Sequence, residues 1–432
     1  MKKVYAVSLG CPKNLTDSEE ALAGFRAQGY ALVSGSEEKA DAAFLNTCGF
    51  LKSSVAEAKS HIRRLAALKR AGKIRKIVVA GCLVQRLGVE KLSAEFPEVD
   101  VFAGVSATAV SADLLKAGES AAPEAAGALC APAGRLRLTL PHTAYLKIAE
   151  GCANNCSYCA IPSIRGPLRS KPPAHVLAEA RALAASGAKE LVLIAQESTA
   201  YGRDLPGKPS LPRLLERLAR VRGVEWIRVL YARPERLDEN LLRVMAREPK
   251  ICKYLDIPLQ HCRDGVLKAM NRPYGQESIS RKLAMARRLV PGIALRTTFI
   301  SGFPGETAAD SRALERFIKK ERFASLGVFA YSREPGTAAY SLPQTVPPAE
   351  ARRRRAALLR AQDAVAAKLG AGMVGRVFTV LMDTPVMGRT YMDAPDIDGF
   401  VEVSSGRPLQ PGTFVRVKIT SARGYARKGV AV

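Results

Sequence analysis

Nine cysteines punctuate this chain of 432 residues, and three of them, Cys152, Cys156 and Cys159, stand in a C-x3-C-x2-C pattern. Three soft thiolates so close in sequence can chelate one metal centre from a single loop, and the spacing is neither the ferredoxin run nor a four-cysteine zinc pattern. Three more, Cys11, Cys48 and Cys82, lie 37 and 34 residues apart, yet each closes a short apolar run: Leu9-Gly10-Cys11, Asn46-Thr47-Cys48 and Ala80-Gly81-Cys82. Buried cysteines are ordinarily small hydrophobes. Three at the same relative position point instead to a shared metal site. Structural zinc wants a fourth ligand, and no His or Cys accompanies these runs, so three thiolates with one open position suit an iron–sulfur cluster better. For the second triad the plain alternative is a zinc knuckle completed by His142 or His175. The odd cysteine count argues against a disulfide framework, and Cys130, Cys252 and Cys262 receive no role.

The elements that must position these thiols can be read from hydrophobic runs. Val4 to Leu9, Ala43 to Leu45 and Ile77 to Ala80 read as strands, with helical stretches at Asp17 to Gln28 and Ser53 to Lys69. Such alternation predicts an open parallel α/β sheet, whose ligands gather beyond the carboxyl ends of its strands. That is where the first triad sits. A linker rich in Ala, Gly and Pro, Ala117 to Gly134, follows. Six further strand runs then appear at Ala144 to Ala149, Glu190 to Ala195, Trp226 to Tyr231, Tyr254 to Leu259, Leu295 to Ile300 and Ser325 to Tyr331, with helical patterns between them. Six βα units are too few for a closed eight-unit barrel and predict a partial one, with its site at the same strand ends. The cysteine loop follows the first of these strands. Gln196 and Glu197 follow the second, Gln260 and His261 the fourth, and Gly302 to Glu306 the fifth. From Ala349 to Leu369 a helix carries Arg352-Arg353-Arg354-Arg355, and runs at Arg376 to Met382, Gly399 to Val403 and Thr413 to Ile419 then predict a small all-β, OB-like barrel. The expected division is 1–116, a linker over 117–137, 138–369, and 370–432.

Composition bounds the partners. A 47% apolar content supplies several cores, and no stretch reaches the roughly 18 uninterrupted apolar residues of a membrane span. The opening Met1-Lys2-Lys3 runs into Cys11-Pro12 without a small-residue cleavage site, so a first strand and a cytoplasmic location are expected. Lys and Arg exceed Asp and Glu by 26, and the excess divides as +5 over 1–137, +18 over 138–370 and +3 over 371–432. A balance this basic suggests a nucleic acid nearby. In the last segment Asp393, Asp396 and Asp398 cluster, which suggests a docking loop for a basic protein. The four-arginine run reads first as a solvated helix face.

The C-x3-C-x2-C loop, with Tyr158 before its last cysteine, resembles the radical S-adenosylmethionine superfamily. In order, the three parts resemble the methylthiotransferases: an amino-terminal cluster domain, a radical core and a carboxyl-terminal TRAM domain. The resemblance covers essentially the whole chain. It rests most on Ser8-Leu-Gly-Cys11-Pro-Lys-Asn-Leu, Asn46-Thr-Cys48-Gly-Phe and Cys159-Ala-Ile-Pro-Ser-Ile-Arg165-Gly-Pro-Leu-Arg169-Ser. This wording is closer to the branch that modifies a ribosomal protein than to the branch that methylthiolates tRNA adenosine, which is the alternative. A non-catalytic iron–sulfur RNA-binding protein is a more distant reading.

The resemblance implies methylthiolation of the β-carbon of an aspartate in the twelfth small-subunit ribosomal protein. It implies two 4Fe–4S clusters, one on Cys152, Cys156 and Cys159 and one on Cys11, Cys48 and Cys82. Two S-adenosylmethionine molecules are used per turnover, one giving a 5′-deoxyadenosyl radical and one a methyl group. An aspartate β C–H bond is too weakly acidic for a general base, which is why a radical is required. Tyr158 would lie against the adenine, Gln196 and Glu197 at the methionyl end, and Gln260 and Arg296 at further cofactor contacts. Glu197 stands where this branch more often has Asp, and His261-Cys262-Arg263 replaces a His followed by small residues. A reductant, a sulfur donor, and contact with ribosomal RNA beside the protein substrate complete the expected partners, with no membrane.

Overall fold

The computed structural model describes residues 1–33, 40–123 and 134–432. Cys130 and the middle of the expected linker therefore lie outside the described residues.

The first layer is a parallel sheet of β1 (Lys2–Ser8), β2 (Tyr30–Val33), β3 (Ala42–Thr47), β4 (Lys76–Gly81) and β5 (Val101–Ala103), ordered β2-β1-β3-β4-β5. Every residue of β3 is buried, as expected of a central parallel strand covered on both faces. Phe25, Phe44 and Val78 build the core on one face, and Leu45, Ile62 and Val79 the core on the other. The short edges β2 and β5 carry too few residues to show a period and were not expected. The first helix, Pro12–Ala27, starts five residues earlier than its apolar pattern suggested. Proline is favoured at a first helical position because its φ is already helical and the N–H it lacks would be unpaired there. The early start places Lys13, Asn14 and Asp17 on the helix, directly after Cys11.

The second layer is an open parallel sheet of six strands: β6 (Thr143–Lys147), β9 (Glu190–Ile194), β10 (Trp226–Val229), β11 (Ile251–Asp256), β12 (Ala294–Ser301) and β13 (Ser325–Ala330). Its order, β13-β12-β11-β10-β9-β6, follows the chain, and its two ends do not pair. This is the partial barrel that six βα units allow. A small antiparallel pair, β7 (Ala149–Glu150) with β8 (Arg169–Ser170), clasps the base of the cysteine loop.

The last layer is a closed barrel of β14 (Val377–Met382), β15 (Met387–Thr390), β16 (Phe400–Ser404), β17 (Phe414–Arg423) and β18 (Ala426–Ala431). Its loop 391–398 packs on one face of the six-stranded sheet, in a cluster containing Tyr145, Trp226, Tyr254 and Ala394. This packing corrects the expected acidic docking loop. Asp398 accepts from the Tyr254 hydroxyl at 2.7 Å, Asp396 from that of Tyr145 at 3.2 Å, and Asp393 from Thr390 at 2.6 Å while pairing with Arg427. Asp393 and Asp398 are thus taken up in internal contacts, and only Asp396 of the three stays exposed. The arginine run is also not a uniformly solvated face. Arg354 pairs with Glu306 and Glu350, each at 2.8 Å, and Arg355 donates to the Val328 carbonyl at 2.8 Å. Among the described residues, no helix is long and apolar enough to cross a membrane.

Candidate functional site

Cys11 caps the helix Pro12–Ala27, Cys48 follows β3, and Cys82 opens the short helix Cys82–Leu87 after β4. Asn14 gathers the three ends. Its amide nitrogen donates to the Leu9 carbonyl at 3.1 Å and the Thr47 carbonyl at 2.9 Å, tying the exits of β1 and β3 together. Its Oδ1 lies 3.6 Å from the Cys82 sulfur and 4.0 Å from the Cys11 sulfur. Gly10, at φ +94°, lies against Cys48: a Cβ there would stand 2.9 Å from the Cys48 Cβ and 3.3 Å from its sulfur. The strand ends therefore bring the first triad to one place, as the sequence suggested.

Arg165, only 1% exposed, joins this triad to the second layer. Its Nε and Nη2 donate to the Cys82 sulfur at 3.4 and 3.3 Å, its Nη1 to Glu150 at 2.9 Å, and its Nη2 pairs with Asp17 at 3.0 Å. Lys147 pairs with the same Asp17 and lies 3.4 Å from Glu150. Two cations and two carboxylates thus balance in a dry junction, where leaving any one unpaired would be costly. Burial pushes the Cys82 thiol up to about 11 despite the guanidinium beside it, which pulls the other way. Arg165 and Lys147 hold Glu150 well below the usual carboxylate range against the penalty of burial.

The second triad occupies the loop after β7. Gly151, at φ +72°, leaves no room for a side chain, since a Cβ would stand 1.9 Å from the Pro167 carbonyl oxygen. The Ser157 hydroxyl donates to the Ala269 carbonyl at 2.7 Å and anchors the loop. Asn154 donates to the Cys152 sulfur at 3.1 Å, and Arg233 to the Cys156 sulfur at 3.3 Å. Burial pushes the Cys159 thiol up to about 12. Tyr158 accepts a hydrogen bond from Arg272 and packs beside Met270 and Phe303.

The expected cofactor residues separate into two groups. Glu197, 1% exposed, accepts from Asn154, from Arg236 and, at 3.0 Å, from the Thr199 hydroxyl, so it braces the cysteine loop. Gln196 donates to Glu150, while its buried Oε1 has no partner. Gln260, four residues beyond β11, adopts φ +70° and bridges Thr298 and Ile300 through its backbone, both at 2.8 Å. Arg296 is bound to Asp256 at 2.9 Å and lies 3.4 Å from Asp398 of the barrel. The sequence analysis singled out neither Asn14, Asp17, Glu150, Arg233 nor Arg272. Only proximity to a cysteine motif could have flagged Asn14.

The donor sets suit iron–sulfur ligation. Each triad supplies three thiols, and nitrogen donors stand within hydrogen-bonding distance of Cys82, Cys152 and Cys156, as such sulfurs require. A zinc knuckle does not fit. The His142 Nε2 lies 3.0 Å from Asp383 of the barrel, so it is engaged there and not at the cysteine loop.

Three family descriptions match the chain: an uncharacterized protein family, UPF0004, over residues 3–104, the radical SAM superfamily over 146–318, and the TRAM domain over 374–432. The chain is 46% identical over 429 residues to the ribosomal protein uS12 methylthiotransferase RimO of Elusimicrobium minutum, covering 99% of each. It is 44% identical to the protein of the same name from Syntrophus aciditrophicus, covering 98% of this chain and 96% of that one. Among solved structures it resembles the radical S-adenosylmethionine methyltransferase TsrM of Kitasatospora setae, with a TM-score of 0.58 at 14% identity over 92% of this chain and 79% of that one. It also resembles the cobalamin-dependent radical enzyme OxsB, with a TM-score of 0.53 at 13% identity over 83% and 56%. At these identities the two structures speak to fold alone.

Proposed function

From a chain that belongs to the RimO family of radical S-adenosylmethionine methylthiotransferases, we propose the following reaction. The substrate is an aspartate of ribosomal protein uS12, its β-carbon is the acceptor, and 3-methylthioaspartate is the product. Cys152, Cys156 and Cys159 would hold one 4Fe–4S cluster and Cys11, Cys48 and Cys82 a second, with two S-adenosylmethionine molecules used per turnover.

The observation that carries the reading is the chain of contacts between the two triads. It runs from Cys82 through Arg165 and Glu150 to Gln196. The next residue, Glu197, reaches Cys152 through Asn154. A transfer that needs both centres requires them to be held in one frame, and this network is such a frame.

When bound, the clusters supply the one-electron reduction that cleaves S-adenosylmethionine and an open iron at which sulfur is presented. The chain's own residues orient and enclose. Gln196, with its Oε1 unspent, accepts from the methionyl ammonium of the cofactor. Glu197 fixes Asn154 and so the set of the cysteine loop. Arg233 and Arg165 lend positive charge to thiolate sulfurs. Tyr158 would lie against the adenine, and Gln260 and Arg296 would make further cofactor contacts. Electrons and sulfur come from a separate reductant and sulfur donor. The +18 excess over residues 138–370 supports contact with ribosomal RNA, an association that should weaken as salt rises.

The direct test is the peptide mass of uS12 from cells with and without this gene. One methylthio group on the aspartate-bearing peptide, present only with the gene, is expected. An unmodified peptide together with a gene-dependent change in tRNA nucleosides would overturn the substrate.

A further inference from the structure

We infer that Lys13 is the specificity-determining residue that holds the carboxylate of an acidic acceptor side chain between the two triads. This rests on the proposed function and assigns its substrate recognition.

Lys13 is the second residue of the helix that follows Cys11, but its side chain crosses to the second layer. There its ammonium donates to the Ala195 carbonyl at 3.3 Å and lies 3.7 Å from the centre of the Tyr231 ring. Ala195 directly follows β9 and precedes Gln196 and Glu197, while Tyr231 lies just beyond β10. The positive charge therefore sits at the carboxyl edge of the six-stranded sheet, two residues from one triad and beside the residues that brace the other.

Lys13 is only 8% exposed, and an ammonium has three donors to satisfy. Among the described residues its single hydrogen-bond acceptor is the Ala195 carbonyl, and no carboxylate lies within ion-pair distance of it. Its neighbours contrast with it, since Lys147 and Arg165 each pair with two carboxylates. Burial opposes its charge while Tyr231, Cys11 and Glu150 favour it; with no carboxylate in contact, the ammonium keeps N–H donors for an anion. Two further features converge here. Tyr231, which is not a glycine, is held at φ +61°, and strain of this kind persists at ligand sites where the surroundings over-determine it. Gln196 adds a buried acceptor with no donor. An edge that lacks one anion and one donor matches an aspartate carboxylate at Lys13 and the cofactor amine at Gln196. An ion pair at the carboxylate also fixes the adjacent β-carbon, the atom to be modified.

The test uses the anaerobically reconstituted full chain with matched uS12 peptides carrying Asp or Asn at the acceptor position. Equilibrium binding is read by fluorescence anisotropy, and methylthiolated product is counted per 5′-deoxyadenosine. Wild type should favour the Asp peptide about ten- to hundred-fold, the worth of a charge-assisted hydrogen bond. Lys13→Met should erase that preference by weakening the Asp peptide alone, while 5′-deoxyadenosine continues to form without product. Lys13→Arg should restore part of the preference. Iron content and electron paramagnetic resonance spectra should be unchanged in both variants. The assignment is overturned if Lys13→Met keeps the preference, weakens both peptides equally, or loses iron. Wild type that binds neither peptide overturns the substrate reading itself, a result distinct from these.

Discussion

Cys152, Cys156 and Cys159 leave a single loop, clasped at its base by the β7–β8 pair, whereas Cys11, Cys48 and Cys82 leave three different strands and meet only once the sheet has formed. The loop closes short spans of chain, so its entropy of closure is small. The dispersed triad depends on sheet register, on Asn14 tying two strand exits, and on a guanidinium contributed by the other layer. The same number of thiols is thus brought together once by a local loop and once by tertiary structure. Damage to packing should therefore empty the amino-terminal site first.

The sharpest way to break this comparison is to remove one thiol from each side. Cys156→Ala should take S-adenosylmethionine cleavage to the uncatalysed background. Cys48→Ala should leave cleavage near the wild-type rate and abolish methylthiolation. Both are read by anaerobic mass spectrometry of 5′-deoxyadenosine and peptide. Cleavage surviving in Cys156→Ala would end the assignment of the loop.

Next in size is Arg165→Met, which leaves Glu150 and Asp17 to share Lys147 alone in a buried junction. Denaturant unfolding of the metal-free protein should show a loss of about 3–5 kcal/mol. Metal affinity at the amino-terminal triad should fall about 10–100-fold, with the loop triad retaining its iron. Equal loss from both triads would contradict the contrast drawn above.

The smallest effect concerns acid and belongs to the radical side alone. His261 is fully buried, accepts from the Arg263 N–H at 3.0 Å through Nδ1, and has no hydrogen bond at Nε2, which lies 3.9 Å from the Glu306 carboxylate. Burial pushes it down to about 4 from 6.5. The folded state therefore binds fewer protons than the unfolded state below pH 6.5. Its contribution is complete above that pH and is lost as pH falls toward 4, on the order of 3 kcal/mol across the window. His261→Asn should flatten the fall in denaturant midpoint between those pH values.

Much of this was legible before any coordinates. A C-x3-C-x2-C loop is local, and strands that each end at a cysteine carry their geometry in the register of chain and sheet. Six of the six-stranded sheet's runs were found because buried parallel strands are continuously apolar. The misses have separate causes. Strands β15 and β18 interrupt their patterns with glycine and charge, as in Met387-Gly-Arg-Thr390 and Ala426-Arg-Lys-Gly-Val-Ala431. Asp393, Asp396 and Asp398 read as a surface because charge in a sequence shows no burial, and their partners Tyr145, Tyr254 and Arg427 lie elsewhere in the chain.

The sequence by itself determined the three-part order, the two sets of thiols and the parallel strands whose ends carry them, because these follow from spacing and hydrophobic period. Tertiary structure alone decided that Arg165 would reach Cys82, that Lys13 would lie against the Tyr231 ring without a carboxylate partner, and that Asp393 and Asp398 would be taken up in internal contacts. Each of these joins residues far apart in the chain across an interface between layers. A polar side chain's role there is set by which partners the packing leaves within about 3 Å, and no local pattern records that.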